Sequence, residues 1–263
     1  MKASIIIAHD STRRDELLHR ALRSIQQDQG GSMEHEIFVE IEGSISAARN
    51  RAAAQAQGEI LVFLDDDLEV RSGFFREILA PFQDGKVGVV GGVNVAFPGA
   101  PANQEISAIL FSSVVTMARS VSRYTPRGNI KETDESEIIA CAMAVRKTAF
   151  LEAGGFPLDI IPCEENVLIN RIQAAGWKIL YNPFAVVFHK RPEFPVGYAR
   201  AIFHYGKGRG KMLRHGVGAP RMVWQPSRKW IYLAAGVVLH YASYLAGVAY
   251  GYLVDEDWEK DET

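Results

Sequence analysis

Three adjacent aspartates, Asp65, Asp66 and Asp67, end an apolar run that has the length of a β-strand. The run is rich in Ile, Val and Phe, which favours a strand that is buried in a sheet. Side chains alternate along a strand, so Asp65 and Asp67 are expected on one side and Asp66 on the other. A hard divalent cation would neutralise the first pair and bridge it to the oxygens of a diphosphate. The same residues also fit a solvated acidic loop.

Length and composition limit the classes of protein to consider. With 263 residues and 48% hydrophobic content, the chain is long enough for one large domain with an appendage. A formal net charge of -2 gives no overall attraction to nucleic acid. Cys141 and Cys163 match no metal or redox spacing, so we expect reduced thiols of a cytosolic setting.

The elements around the aspartates alternate between strand and helix patterns. Ahead of the acidic strand we expect, in order, a strand over Ser4–Ala8, a helix over Arg14–Gln27, a strand over Glu36–Ile41 and a helix over Ser46–Ala52. This order predicts an α/β fold with a mostly parallel, doubly wound sheet that is flanked by helices. Ligands of such sheets gather at the carboxyl ends of the strands, where the aspartates lie.

Three motifs carry a family resemblance. The helix Ser46–Ala52, the strand that ends in Asp65–Asp67 and the Gly-Gly-Phe-Pro turn at Gly154–Pro157 resemble family 2 glycosyltransferases of the GT-A fold. The resemblance extends from the N-terminus to about His189. It implies a nucleotide-sugar donor and a DxD-type motif, in which Asp65 and Asp67 hold Mg or Mn together with the donor diphosphate.

Other donor contacts are implied by the same resemblance, with one departure from the family. Asp66, Arg49 and Asp10 are expected at the donor. For Arg49 the chemical reason is that a guanidinium binds a diphosphate well. The alternative for Arg49 is a surface helix arginine. The segment between strand two and helix Ser46–Ala52 is shorter than in the family, so the pocket for the base is rebuilt. Glu40 or Glu42 is the candidate for its acidic contact to base or ribose.

Glu165 is the candidate catalytic base. Counting back from Arg171 aligns Glu164 and Glu165 with the acidic pair that begins a helix in the family, where the second acid, usually Asp, deprotonates the acceptor hydroxyl. Glu164 is the alternative base, and a plain charge at a helix start is the third explanation. His189 is expected to face the metal or the donor phosphates, or else to be a structural histidine.

The C-terminal part changes in composition. After a catalytic domain over residues 1–190, residues 191–230 are basic with interleaved aromatics, residues 231–254 contain no Asp, Glu, Lys or Arg, and residues 255–263 form an acidic tail. The basic part is expected to meet anionic lipid head groups or a diphosphate-linked acceptor. The apolar stretch is long enough to span a bilayer, and Gly247 and Gly251 form a pair suited to helix packing. The alternative is a half-buried helix that packs on the domain.

The sequence therefore predicts an inverting, metal-dependent hexosyltransferase at the cytoplasmic face of a membrane, single-pass or peripheral. The donor is a nucleoside diphosphate sugar and the acceptor is lipid-linked or a saccharide. An oligomer is compatible with the sequence, and no nucleic-acid partner is expected. The alternative is a non-catalytic GT-A-like partner subunit tethered to the membrane. A sugar-phosphate nucleotidyltransferase ranks last, because no glycine-rich Arg/Lys signature lies near the N-terminus.

Overall fold

A mixed β-sheet forms the centre of the protein. The computed structural model describes residues 2–9, 15–28, 34–40, 43–214 and 230–253, and only the backbone of 214, 230–237, 252 and 253. Within these residues the sheet has eight strands. They are β1 (Ala3–Ala8), β2 (His35–Glu40), β3 (Ile60–Asp65), β4 (Leu68–Val70), β5 (Val87–Ala96), β6 (Lys131–Glu132), β7 (Ala142–Arg146) and β8 (Lys178–His189).

Helices flank this sheet. They are α1 (Asp15–Gln27), α2 (Ile45–Gln55), α3 (Phe74–Leu79), α4 (Ala102–Phe111), α5 (Val114–Met117), α6 (Lys147–Glu152), α7 (Glu164–Ala174), α8 (Val196–Arg214) and α9 (Trp230–Leu253). Short 3₁₀ turns cover Ala80–Gln83, Ala118–Arg123 and Glu135–Glu137. Ser44 caps α2, where its hydroxyl accepts a hydrogen bond from the Ala47 amide at 3.2 Å.

The strand order is β2-β1-β3-β7-β5-β8-β4, with β6 added beside β8. The pairs β1–β2, β1–β3 and β5–β8 are parallel, whereas β7 runs antiparallel to β3 and β5, and β4 and β6 run antiparallel to β8. The α/β fold is as predicted, but the expectation of a mostly parallel sheet was wrong. Helical crossovers enforce parallel pairing only among β1, β2 and β3, and the long segment before β7 is not such a crossover.

Alternation along β1 and β3 separates two hydrophobic cores. Ile6 and Phe63 face the layer of α2, α6 and α7, while Ile5 and Ile7 face the layer of α1 and α3. Phe63 meets Phe156 edge-on with ring centroids 5.0 Å apart. Replacing a buried phenylalanine by alanine costs about 3–5 kcal/mol, so the strand that carries the aspartates is firmly held.

The C-terminal helices α8 and α9 pack against each other through glycine. A Cβ at Gly247 would lie 2.0 Å from the carbonyl oxygen of Phe203, and one at Gly251 equally close to that of Lys207. His240 is buried within α9, and its Nδ1 lies 2.9 Å from the Tyr198 hydroxyl oxygen of α8. The predicted packing role of Gly247 and Gly251 is therefore confirmed, with α8 as the partner helix.

Residues 231–254 were expected either to span a bilayer or to pack on the domain as a half-buried helix. Among the residues described, no helix combines the length and the apolar character that a membrane span requires. Gly247 and Gly251 of α9 lie in close contact with α8. The basic segment that precedes it is likewise partly folded inward, since Lys207 and Lys211 of α8 are buried and the Lys207 ammonium lies 5.4 Å from the Tyr250 ring.

Candidate functional site

The aspartates at the end of β3 meet a histidine at the end of β8. His189 Nε2 lies 3.0 Å from Asp67 Oδ1 and 3.4 Å from Asp65 Oδ2. The pairing of β4 with β8 sets this geometry, because it aligns Leu68 with His189 directly after the acidic turn. Burial opposes a charge on His189, but the carboxylates of Asp67 and Asp65 outweigh it and raise the pKa of His189 to about 10.

The middle aspartate faces a different histidine. Asp66 Oδ2 lies 2.7 Å from His9 Nδ1, and both side chains are buried. His9 follows β1, the strand next to β3 in the sheet. The contacts of the three aspartates thus divide as side-chain alternation predicts, with Asp65 and Asp67 on one histidine and Asp66 on another. His9 was missed at the sequence level because nothing in its surroundings distinguishes it from other polar turn residues.

Arg49 connects the acidic strand to helix α7. It donates hydrogen bonds from Nη2 to Asp65 Oδ1 at 2.8 Å and from Nη1 to Glu164 Oε1 at 2.9 Å. Only 1% of Arg49 is exposed, and its guanidinium lies 5.4 Å from the Phe156 ring. Arg49 is therefore not a surface arginine. Its charge holds together two carboxylates that would otherwise repel each other.

The two glutamates that begin α7 point to different partners. Glu164 faces Arg49, while Glu165 Oε1 lies 3.7 Å from Arg123 Nη1. Both glutamates are buried. Burial and the neighbouring charge of Glu165 raise the pKa of Glu164 to about 7, although Arg49 acts in the opposite direction. Glu164 belongs to the cluster of Asp65, and Glu165 to the side of Arg123.

Glu40 lies apart from this cluster. At the end of β2, it forms an ion pair with Arg51, with Nη2 3.3 Å from Oε2. Asp10 and Glu42, the other two acidic donor candidates, lie outside the described residues.

A cysteine also lies beside the acidic cluster. Ligand atoms of Asp65, Cys141 and His189 all lie within 4.8 Å of one another. Asn94 Nδ2 donates to Cys141 Sγ at 3.2 Å, and burial together with the Asp65 charge raises the pKa of the Cys141 thiol well above its usual range. Two carboxylates and an imidazole supply the oxygen and nitrogen donors that suit Mg or Mn, so Asp65, Asp67 and His189 fit such an ion. A thiol ligand would instead favour a softer metal.

A cavity of about 150 Å³ lies next to the start of α7, on the side of Arg123. Its walls come from α5 and the 3₁₀ turn after it, from α7, and from α8 and α9. Arg123, the partner of Glu165, lines this cavity, and so does Asn166. Neither residue belongs to a recognisable motif, and Arg123 stands 42 residues before Glu165, so neither was predicted from sequence.

Comparison with known proteins agrees with this architecture. The sequence model described as Glycosyl transferase family 2 matches residues 3–154, more than half of the chain. The chain belongs to glycosyl transferase family 2. The match includes β1, Arg49 and the three aspartates, and ends at Gly154 ahead of α7.

Curated relatives of this family 2 member cover only part of it. It is 26% identical over 171 residues to the pre-mycofactocin glycosyltransferases of two strains of Mycobacterium tuberculosis. The match covers 65% of this chain and 35% of each relative. The chain thus spans about a third of the length of the curated relatives it matches.

Solved structures agree with the predicted GT-A fold. One is the mannosyltransferase PcManGT from Pyrobaculum calidifontis in complex with GDP-Man and Mn²⁺, with a TM-score of 0.57, 18% identity, and coverage of 95% of this chain and 73% of that one. Another is GalNAc-T7 with UDP, GalNAc and Mn²⁺, with a TM-score of 0.50, 13% identity, and coverage of 95% and 55%. At these identities the similarity concerns the fold.

Proposed function

We propose that the protein is an inverting, metal-dependent glycosyltransferase that moves a sugar from a nucleoside diphosphate donor to a lipid-linked or saccharide acceptor. The observation that carries the proposal is the joint arrangement of Asp65, Asp67 and His189 at one edge of the sheet, with Arg49 linking Asp65 to Glu164 of α7. Family membership supports the reaction class. The complexes of the two solved structures, with Mn²⁺ and GDP-Man or UDP, support the donor class and the metal.

In this proposal the donor binds at the acidic edge. Asp65, Asp67 and His189 are the residues that would hold Mg or Mn together with the diphosphate. Such an ion would stabilise the negative charge of the leaving diphosphate. Asp66 contributes to the donor site, and its hydrogen bond with His9 fixes the orientation of its carboxylate. Arg49 holds Asp65 in place, since it donates to Oδ1 and leaves Oδ2 on the side of His189.

Glu165 is the better choice of base because of where its neighbours lie. Glu164 is already hydrogen-bonded to Arg49 on the donor side, whereas Glu165 lies beside Arg123, which lines the cavity next to α7. Glu165 is therefore the carboxylate on the cavity side of α7, where an acceptor hydroxyl can approach a base.

The proposed chemistry is a single displacement. Glu165 takes the proton of an acceptor hydroxyl as that oxygen attacks the anomeric carbon of the donor sugar. The bond from this carbon to the diphosphate oxygen breaks, and the nucleoside diphosphate leaves with the electron pair. Attack opposite the leaving group inverts the configuration at the anomeric carbon.

Membrane contact is proposed as peripheral only, on the cytoplasmic face. Val238 and Leu245 of α9 are large exposed apolar side chains that support such contact. Flotation of the full chain with vesicles containing anionic lipid tests it. Recovery of the protein in the bottom fraction at low salt would contradict it.

The test of the reaction is release of UDP or GDP from a panel of nucleotide sugars with Mn. Asp67→Ala should abolish nucleotide release while the protein stays folded, and the exposed Asp84→Ala serves as the matched control. Retained release by Asp67→Ala would refute the metal assignment. Release of nucleotide by neither the parent nor the control protein would favour a non-catalytic partner subunit.

A further inference from the structure

Three arginines, Arg119, Arg123 and Arg209, line one wall of the cavity beside α7. None of the lining residues, all in the described part of the chain, is an aspartate or a glutamate. Each arginine also faces a carboxylate that does not line the cavity: Asp134, Glu165 and Glu135, respectively. Arg119 donates to Asp134 at 2.8 Å, and Arg123 donates from Nε to the Ser136 carbonyl at 3.1 Å. These bonds fix the direction of the guanidinium groups. Charge-assisted bonds from such arginines favour carboxylate or phosphate.

The rest of the wall is aromatic and uncharged. Tyr205, Tyr241 and Tyr244 line it together with His240. Burial lowers the pKa of His240 to about 4, so this histidine is neutral near pH 7 and adds no cation. The Tyr241 hydroxyl donates to the Val115 carbonyl at 2.6 Å, which holds its ring in place. Fixed tyrosine rings offer flat apolar surfaces against which a ring can stack.

Asn166 supplies a buried side-chain oxygen that lacks a hydrogen-bond donor. Its Nδ2 donates to the Glu135 carbonyl at 3.1 Å, which fixes the amide orientation. Its Oδ1 is buried and has no hydrogen-bond partner among the described residues. A buried acceptor without a hydrogen bond is destabilising, and a ligand hydroxyl would satisfy it.

Size limits the ligand further. A cavity of about 150 Å³ is comparable to one that holds a single benzene ring. One six-membered ring fits, and an anionic substituent reaches the arginines.

We infer that this cavity binds an acceptor sugar that carries a carboxylate or phosphate, such as a uronate or a sugar phosphate. The inference rests on the proposed function and names its acceptor class. Arg119 and Arg209 hold the anion, the tyrosines stack on the ring, and Asn166 accepts a hydrogen bond from a hydroxyl. Arg123 places the bound sugar next to Glu165.

The experiment measures binding to the full chain in the presence of Mg, which is diamagnetic, and whichever of UDP or GDP the chain binds. Ligand-observed NMR titrations compare glucuronate and glucose 6-phosphate with glucose. At least one anion should bind about tenfold more tightly than glucose, which corresponds to one charge-assisted contact. The two anions distinguish a carboxylate from a phosphate ligand.

Variants locate the binding site. Arg119→Gln, which alters a half-exposed side chain and leaves the core intact, should remove most of the preference for the anion, and Arg209→Gln should do the same. Arg200→Gln removes the same charge from an exposed position of α8 and should leave the preference unchanged.

The outcomes separate this inference from the proposed function. The chain could bind a nucleotide with Mg and yet bind glucose and both anions equally, or bind no sugar. Either result would overturn the acceptor class while the proposed transferase function stands. An anion preference that survives both cavity variants would also overturn it. Failure to bind any nucleotide would remove the proposed function and the inference together.

Discussion

Removal of Arg49 tests the structural link between the donor edge and helix α7. Arg49→Met keeps similar volume under the Phe156 ring but leaves Asp65 and Glu164 without their shared cation. Breaking a buried ion pair from one side typically costs about 3–5 kcal/mol of unfolding free energy. The matched control is Arg51→Met on the same helix, where an exposed pair with Glu40 contributes about 0–1 kcal/mol.

Urea denaturation of both variants measures the loss of unfolding free energy. The cost of Arg49→Met is expected to be larger at pH 8 than at pH 6. The pKa of Glu164, raised to about 7 already, rises further without Arg49, and proton uptake becomes less favourable as pH increases. Glu164→Gln in the Arg49→Met background should recover part of the loss. If Arg49→Met and Arg51→Met lose the same stability, Arg49 does not hold these carboxylates together.

Three further predictions concern the base and the C-terminal helices. Glu165→Gln should lower turnover by about 10²–10⁴-fold at unchanged donor affinity, whereas an equal loss of turnover in Glu164→Gln would transfer the role of base. Because the pKa of His240 is depressed to about 4 in the folded protein, between pH 6.5 and 4 this histidine is protonated in the unfolded chain but mostly neutral in the folded one. Stability should therefore fall by up to about 3 kcal/mol from pH 6.5 to 4, and His240→Gln should flatten that part of the curve, measured by urea denaturation. Gly247→Ala should destabilise by about 1–3 kcal/mol, since its Cβ would meet backbone, while Gly85→Ala, where nothing lies within 4 Å, should not. Equal melting temperatures for the two glycine variants would contradict the α8–α9 packing.

The acidic strand end was predictable because its signal is local. An apolar run that stops at Asp65, and alternation that separates Asp66 from its neighbours, follow from strand geometry alone. His189 could be proposed from the family resemblance, but the distances to Asp65 and Asp67 needed the pairing of β4 with β8. His9 could not be found, since its contact depends on two strands that are adjacent only in the sheet.

The C-terminal part was harder to interpret because composition does not say what a helix packs against. An uncharged run of 24 residues fits a bilayer span as well as a helix packed on the domain, and its composition does not show the contact of α9 with α8 through Gly247 and Gly251. In the same way, the basic composition of residues 191–230 gave no sign that Lys207 is buried or that Arg209 lines a cavity. These assignments depend on contacts between distant parts of the chain.

The most direct test of a metal-dependent donor site is calorimetric titration of the full chain with UDP and GDP, with and without Mn. The account predicts that one of the two binds with Mn and loses most of its affinity without the ion. Asp67→Ala should bind neither, while Asp84→Ala should bind as the parent protein does. Binding that is indifferent to Mn and to Asp67 would contradict the account. So would the absence of binding for UDP, GDP, CDP and dTDP alike.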